Sequence, residues 1–329
     1  MVMTLRRLPS ASGLGLLLIG HGTRDERGLR EFRQVAERLT NAATGIAVEV
    51  CFLELAEPSV QRGAARLIER GARHVIVLPL LLFSAGHAQR DIPRAVEAAL
   101  GDLARCCDRS RQPATVWQAP VLACHPDIIE LSARRFGEAL TQAGGQTLPE
   151  KTLLLMVGRG SHEPEANAEF ARFARLRWER EPVGWLETCF VAMARPTLDE
   201  GLKMAASMPF ERVVVQPHLL FSGELMHGIR AAVADARRRA PDRQWIVTEH
   251  LAAEHFATEH LATERLATEH LGSELLVRAL LSRAGLADGS HPPDVIEPSA
   301  KGKPGPWSPG VCDHGLAGRA DLALPGPSV

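Results

Sequence analysis

Leu16-Leu17-Leu18-Ile19-Gly20-His21-Gly22-Thr23 is an apolar run that stops abruptly in Gly-His-Gly. A short apolar run bounded by glycine reads as a buried strand. The glycines allow a sharp turn and a close backbone approach. His21 therefore stands at the carboxyl end of a strand, where open parallel sheets hold their ligands. The pattern recurs twice, at a spacing of 33 residues. Cys51-Phe52-Leu53-Glu54 ends a second apolar run with a carboxylate, and Phe83-Ser84-Ala85-Gly86-His87 follows a third, Val75-Ile76-Val77-Leu78-Pro79-Leu80. Three strands thus deliver His21, Glu54 and His87 to the same end. Two neutral imidazoles and a carboxylate suit a borderline divalent metal such as cobalt, iron, nickel or zinc.

Around these runs the chain alternates. Strands are expected at 14–20, 46–53, 74–81 and 116–122. Between them, 25–39 reads as a helix, with Leu29, Phe32, Val35, Ala36 and Leu39 on one stripe. A second helix runs from Pro58, which suits a first turn, to about Arg70, and Gly71 ends it. Asp91-Ile92-Pro93 starts a third, and 126–143 forms a fourth. Strand and helix in alternation specify a parallel sheet with helices on both faces.

The chain then repeats itself. Leu153-Leu154-Leu155-Met156-Val157-Gly158-Arg159-Gly160-Ser161 copies the opening stretch. An offset of 138 carries Gly20 to Gly158, Glu31-Phe32 to Glu169-Phe170, Cys51-Phe52 to Cys189-Phe190, Pro58 to Pro196 and Phe83-Ser84 to Phe221-Ser222, without a gap. Under the same offset His21 becomes Arg159, Glu54 becomes Ala192 and His87 becomes Leu225. The second copy keeps the residues that shape the fold and loses all three candidate ligands. One site, in the first half, is the consequence. His162, His218 and His227 remain in the second half, with two readings each: a residue lining the cleft or, more simply, an ordinary surface or satisfied histidine.

The bulk numbers close off other classes. Net charge is −1, which gives no general case for nucleic acid or a membrane surface. Six cysteines lack paired spacing and read as reduced thiols of a cytoplasmic protein. Arg6-Arg7 before the apolar run imitates a signal peptide, but that run is short and leads straight into His21 and charged residues. No apolar run approaches the length of a membrane span.

With Leu-Ile-Gly-His-Gly-Thr-Arg at 18–24, Phe-Leu-Glu-Leu-Ala-Glu-Pro at 52–58, the stretch from Leu78 to Pro93 and Gln-Pro-His-Leu-Leu-Phe-Ser-Gly-Glu-Leu-Met at 216–226, the chain resembles the sirohydrochlorin chelatases of the CbiX type. These are class II chelatases, and the likeness is to their long, two-repeat form, over about 14–285. The resemblance implies two tandem parallel-sheet α/β lobes facing across a cleft. It implies insertion of a divalent metal into a tetrapyrrole without ATP, usually cobalt for cobalamin, with iron (as in siroheme) or nickel in relatives. Carried over by position, His21 and His87 are the metal-site histidines and Glu54 the accompanying carboxylate. The implied substrate bears many carboxylates, which suit arginine forks, so Arg24, Arg90 and Arg159 are the candidates to hold it. The metal is a substrate, and no resident cofactor is expected. A non-catalytic metal or tetrapyrrole carrier is the rival reading. The duplication supplies a pseudo-dimer within one chain, so a monomer or weak homodimer is expected.

This divides the chain into a leader at 1–12, an active lobe at 13–147, a degenerate lobe at 148–285 and a disordered Gly- and Pro-rich tail at 286–329. Within the second lobe, 248–271 repeats Thr-Glu-His-Leu-Ala with variations. Five residues advance a helix by about 140° beyond a full turn, so its histidines share no face. The segment reads as a tandem expansion in a protruding surface connection and not as a metal store.

Overall fold

The computed structural model describes residues 13–84, 86–106, 114–144, 148–253 and 271–286, with the backbone alone at 87, 102–106 and 271. Strand β1 (Leu14–Gly20) lies between β2 (Ala47–Phe52) and β3 (His74–Pro79), and β4 (Thr115–Gln118) flanks β3. All pairings are parallel. The second sheet repeats this order with β5 (Thr152–Gly158) between β6 (Trp185–Phe190) and β7 (Arg212–Pro217), and β8 (Gln244–Val247) outside. Even the register is copied: Gly20 pairs with Phe52, and Gly158 with Phe190. These are the two parallel-sheet lobes expected from the duplication.

Of the boundaries that differ from expectation, two have clear local reasons. β4 ends at Gln118 and does not reach 122; Pro120 has no N–H to offer a ladder. Pro58 lies outside helix α2 (Val60–Glu69), which Ser59 caps by accepting the Arg62 N–H at 3.4 Å. The Pro58 carbonyl accepts the Phe52 N–H at 2.9 Å and so ties the loop back to β2. In the second lobe Pro196 and Thr197 do the same for β6 and α6 (Leu198–Ser207).

Side chains alternate across each sheet. Leu17, Ile19, Val75 and Val77 face outward beneath α2 and α3 (Ile92–Cys106). In the second lobe Leu153, Leu155, Val213 and Val215 face α6 and α7 (Glu224–Arg239). Toward the inside, Leu16, Leu18 and Phe32 of α1 (Glu26–Ala42) share one apolar cluster with Leu154, Met156 and Phe170 of α5 (Pro164–Arg180). The last helix of each lobe crosses over. α4 (Pro126–Ala143) packs on α5 and β8, and α8 (Leu271–Arg283) packs on α1 and α4. Buried Arg135 on α4 donates to the Leu251 carbonyl at 2.9 Å and also to that of Ala253. Arg283 on α8 returns the contact, donating to the Leu122 carbonyl at 2.8 Å. The junction at 147/148 is therefore a boundary in sequence, while the core runs across it.

The start of the pentapeptide repeat corrects the expectation of a surface connection. Thr248, His250, Leu251, Ala252 and Ala253 are buried. The N–H groups of Leu251 and Ala252 donate to the carbonyls of Leu219 and Leu220, as those of Leu122 and Ala123 donate to Leu81 and Leu82 in the first lobe. This first copy is part of the duplicated fold itself. Residues 254–270, with the later copies, lie outside the described residues, as do the leader at 1–12 and the tail from 287. No helix among the described residues is long and apolar enough to cross a membrane.

Candidate metal centre

The site begins with two glycines that admit no side chain. A Cβ on Gly20 would lie 2.5 Å from the Phe32 ring, and one on Gly22, at φ +99°, would lie 1.7 Å from the Glu54 carbonyl oxygen. With that space empty, the loops after β1 and β2 zip together. Leu53 N–H donates to Gly20 O and Glu54 N–H to His21 O, both at 3.0 Å. The side chains follow, and His21 Nε2 lies 3.1 Å from Glu54 Oε1. The pair is reachable from solvent, with the imidazole 25% and the carboxylate 53% exposed.

His21 Nδ1 also lies 3.3 Å from the Gly22 carbonyl. Donating to both oxygens takes the doubly protonated ring. With its proton on Nδ1, the neutral ring keeps the carbonyl contact and turns the Nε2 lone pair toward Glu54 and the open pocket along 52–59. That lone pair beside a carboxylate is a cation-binding arrangement.

His87 opens the π-helical turn His87–Asp91 that leads from β3 into α3; its side chain lies outside the described ones. The segment around it is docked on the second lobe. Phe83 meets the rings of Phe170 and Phe173 at 5.9 and 6.4 Å. Arg90 Nη2 meets Glu163 Oε1 at 2.7 Å. Arg90 is thus committed to an ion pair between lobes. Arg24 and Arg159 are exposed and have no ion pair among the described residues. Among the described side chains, no three His, Cys, Asp or Glu converge.

The second lobe keeps the scaffold and changes the chemistry. Ala192 N–H donates to Arg159 O at 2.9 Å. Gly160 sits at φ +87°, and a Cβ there would lie 1.9 Å from Ala192 O. The backbone that pairs a histidine with a glutamate in the first lobe here presents an arginine and an alanine.

A family model named CbiX matches residues 15–139 and again 153–283. The chain belongs to the CbiX family. Its two matches begin 138 residues apart, the offset of the internal repeat. Two relatives from Priestia megaterium are similar to it. One, named sirohydrochlorin cobaltochelatase, is 31% identical over 66% of this chain and 68% of its own. The other, named sirohydrochlorin ferrochelatase, is 30% identical over 72% of this chain and 83% of its own. In fold, the chain matches a solved structure described as SirB from Bacillus subtilis with Fe3+. That match has a TM-score of 0.66 and 22% identity, over 85% of this chain and 99% of that one.

In this CbiX-family chain two buried polar residues escaped the sequence reading. Glu31 on α1 accepts the Ser222 N–H at 2.7 Å, and His250 Nε2 lies 2.9 Å from the same carboxyl oxygen. Arg27 donates to its other oxygen at 3.1 Å. Burial pushes the Glu31 carboxyl up. The hydrogen bonds from His250 and Ser222, with the charges of His250 and Arg27, outweigh it and hold the group below the usual carboxylate range. The shared Glu31-Phe32 and Glu169-Phe170 pairs were the available signal, but His250 was hidden inside a repeat. His218 is buried among Phe83, Phe170 and Phe173, its ring 4.0 Å from that of Phe173. Neither of its ring nitrogens has a partner among the described residues, and burial pushes its pKa down to about 3. His162 and His227 are exposed.

Proposed function

We propose that this protein is a sirohydrochlorin chelatase. It inserts a divalent metal, cobalt in the first instance, into the metal-free macrocycle without ATP. The observation that carries the reading is the His21–Glu54 pair at 3.1 Å, held at the ends of β1 and β2 and absent from the copied loop. Family membership and the names of the two relatives support the same chemistry.

Insertion removes two pyrrole protons and exchanges water on the metal for four nitrogens. Neutral His21 offers Nε2 either to the metal or to a departing proton. Glu54 offsets the metal charge and, being half exposed, passes protons to solvent. His87, at the head of its turn, supplies the second imidazole. Since Arg90 is engaged by Glu163, binding of the substrate's carboxylates falls to Arg24 and Arg159. The metal is a substrate, so the reading needs no resident cofactor. We place the enzyme in the cytoplasm as a monomer or weak homodimer.

Cobalt leads because the resemblance is to the CbiX type of the cobalamin branch and one relative carries the cobaltochelatase name. Ferrous iron, for siroheme, is the second reading, favoured by the relative named ferrochelatase. A spectroscopic insertion assay with sirohydrochlorin and Co2+, Fe2+ or Ni2+ tests both. Turnover above the enzyme-free rate that collapses in His21→Ala and His87→Ala is expected. Binding without any acceleration would leave a carrier.

A further inference from the structure

The two copies of the site loop carry opposite charge. In the first lobe the loop reads Leu53-Glu54-Leu55-Ala56-Glu57, and in the second Val191-Ala192-Met193-Ala194-Arg195. The ion pair beside each is reversed to match. Glu57 on the loop pairs with Arg62 of α2 at 3.5 Å, whereas Arg195 on the loop pairs with Glu200 of α6. With His21 replaced by Arg159, the first loop suits a cation and the second an anion.

The same loops hold apolar side chains out in water. Five large apolar residues are exposed among the described ones, and three of them are Leu55, Met193 and Leu225. Leu55 and Met193 occupy the left-handed region at φ 62° and 58°, which is unfavourable for long side chains. Leu225 occupies the position that corresponds to His87, in the first turn of α7. Apolar surface kept exposed on strained backbone beside Arg159, which has no ion pair among the described residues, marks a binding face.

Packing brings segments next to the two loop sets into contact. The first turn of α1, just past His21, abuts the loop that leads to Leu225: a Cβ on Gly28 would lie 2.7 Å from the Ser222 carbonyl oxygen. Arg90, three residues past His87, reaches Glu163, four past Arg159.

We propose that the emptied site of the second lobe is the wall that seats the tetrapyrrole. Met193 and Leu225 lie against the face of the macrocycle, Arg159 meets its carboxylates, and Arg195, whose ion pair with Glu200 lies within the second lobe and is open to solvent, exchanges that partner for another. Leu55 touches it from the metal side. The duplication has thus divided labour, with the cation on the first copy and the anionic ring on the second. This inference rests on the chelatase reading and adds to it which residues choose the macrocycle.

The test titrates metal-free sirohydrochlorin into the full chain by absorbance and measures separate KM values for tetrapyrrole and metal. Met193→Asn with Leu225→Ser removes the apolar face and keeps a residue that accepts the left-handed backbone. Arg195→Glu with Glu200→Arg keeps the ion pair and reverses its direction. Each double variant is expected to weaken tetrapyrrole binding by about 10-fold, with the metal KM and the thermal midpoint unchanged. Leu148→Ser, an exposed apolar residue elsewhere, is expected to change neither. Turnover by the wild type with undiminished binding in both double variants would overturn the wall and leave the chelatase standing. Variant-sensitive binding with no metal insertion by the wild type would keep the wall and overturn the chelatase. A wild type that binds no tetrapyrrole overturns both.

Discussion

Gly22 and Gly160 sit at φ +99° and +87°, each with a carbonyl oxygen where a side chain would go. One follows a histidine and the other an arginine. The comparison separates two demands usually mixed in a single site. Close backbone approach is needed to build the loop, and both lobes keep it. Ligand chemistry is needed in one lobe, and the other has exchanged it. A residue present in both copies is thus a candidate for architecture, and one present in a single copy is a candidate for chemistry.

The glycines give the sharpest way to break that division. Gly22→Ala and Gly160→Ala should each destabilise by about 4 kcal/mol or more, since backbone must move in both lobes. Denaturant unfolding checks it; a tolerant Gly160 would mean that the second loop no longer needs its shape. Next comes chemistry. His21→Ala should lower kcat/KM about 100-fold or more, whereas Arg159→Ala should raise the KM for tetrapyrrole and spare kcat. Equal kcat losses in steady-state assays would contradict the assignment of chemistry to one lobe. The comparison can also be run in reverse. Arg159→His with Ala192→Glu and Leu225→His places the missing residues on an intact scaffold. Calorimetric titration with Co2+ should then show a second equivalent bound, and an unchanged stoichiometry would mean that more than these side chains has been lost.

The smallest effect concerns His218, whose counterpart in the first lobe is Leu80. Because the ring is buried with no partner among the described residues, His218→Leu should stabilise the protein by about 1 kcal/mol near neutral pH. The wild type should lose stability as pH falls from 6.5 toward the folded value of about 3, by up to roughly 1.4 kcal/mol per pH unit. The unfolded state takes up the proton there and the folded one does not. The leucine variant should lack this limb. The lowered Glu31 carboxyl adds a second loss below 4.5, which the variant should keep. Thermal midpoints between pH 7 and 4 separate the two.

Much of this was legible before any coordinates. Apolar runs ending in Gly-His-Gly and Gly-Arg-Gly placed β1 and β5, because backbone needs and burial are written locally. The pairing of His21 with Glu54 was legible only as likeness of position, since the contact depends on how two loops zip. His250 was misread as part of a surface connection because its surroundings in sequence are a repeat, and its partner Glu31 is 219 residues away. The reversal from Glu57–Arg62 to Arg195–Glu200 is written in the sequence, but a charge pair gains meaning only when its direction relative to a site is known.

By itself the sequence determined the two parallel-sheet units, their duplication and the three residues confined to the first, for these depend on local periodicity and spacing. Tertiary structure alone decided that α4 and α8 exchange lobes, that Arg90 is spent on Glu163, and that Glu31, Ser222 and His250 meet. Such contacts join residues far apart in the chain, and their energy comes from burial and complementary charge that exist once the two lobes close on one core.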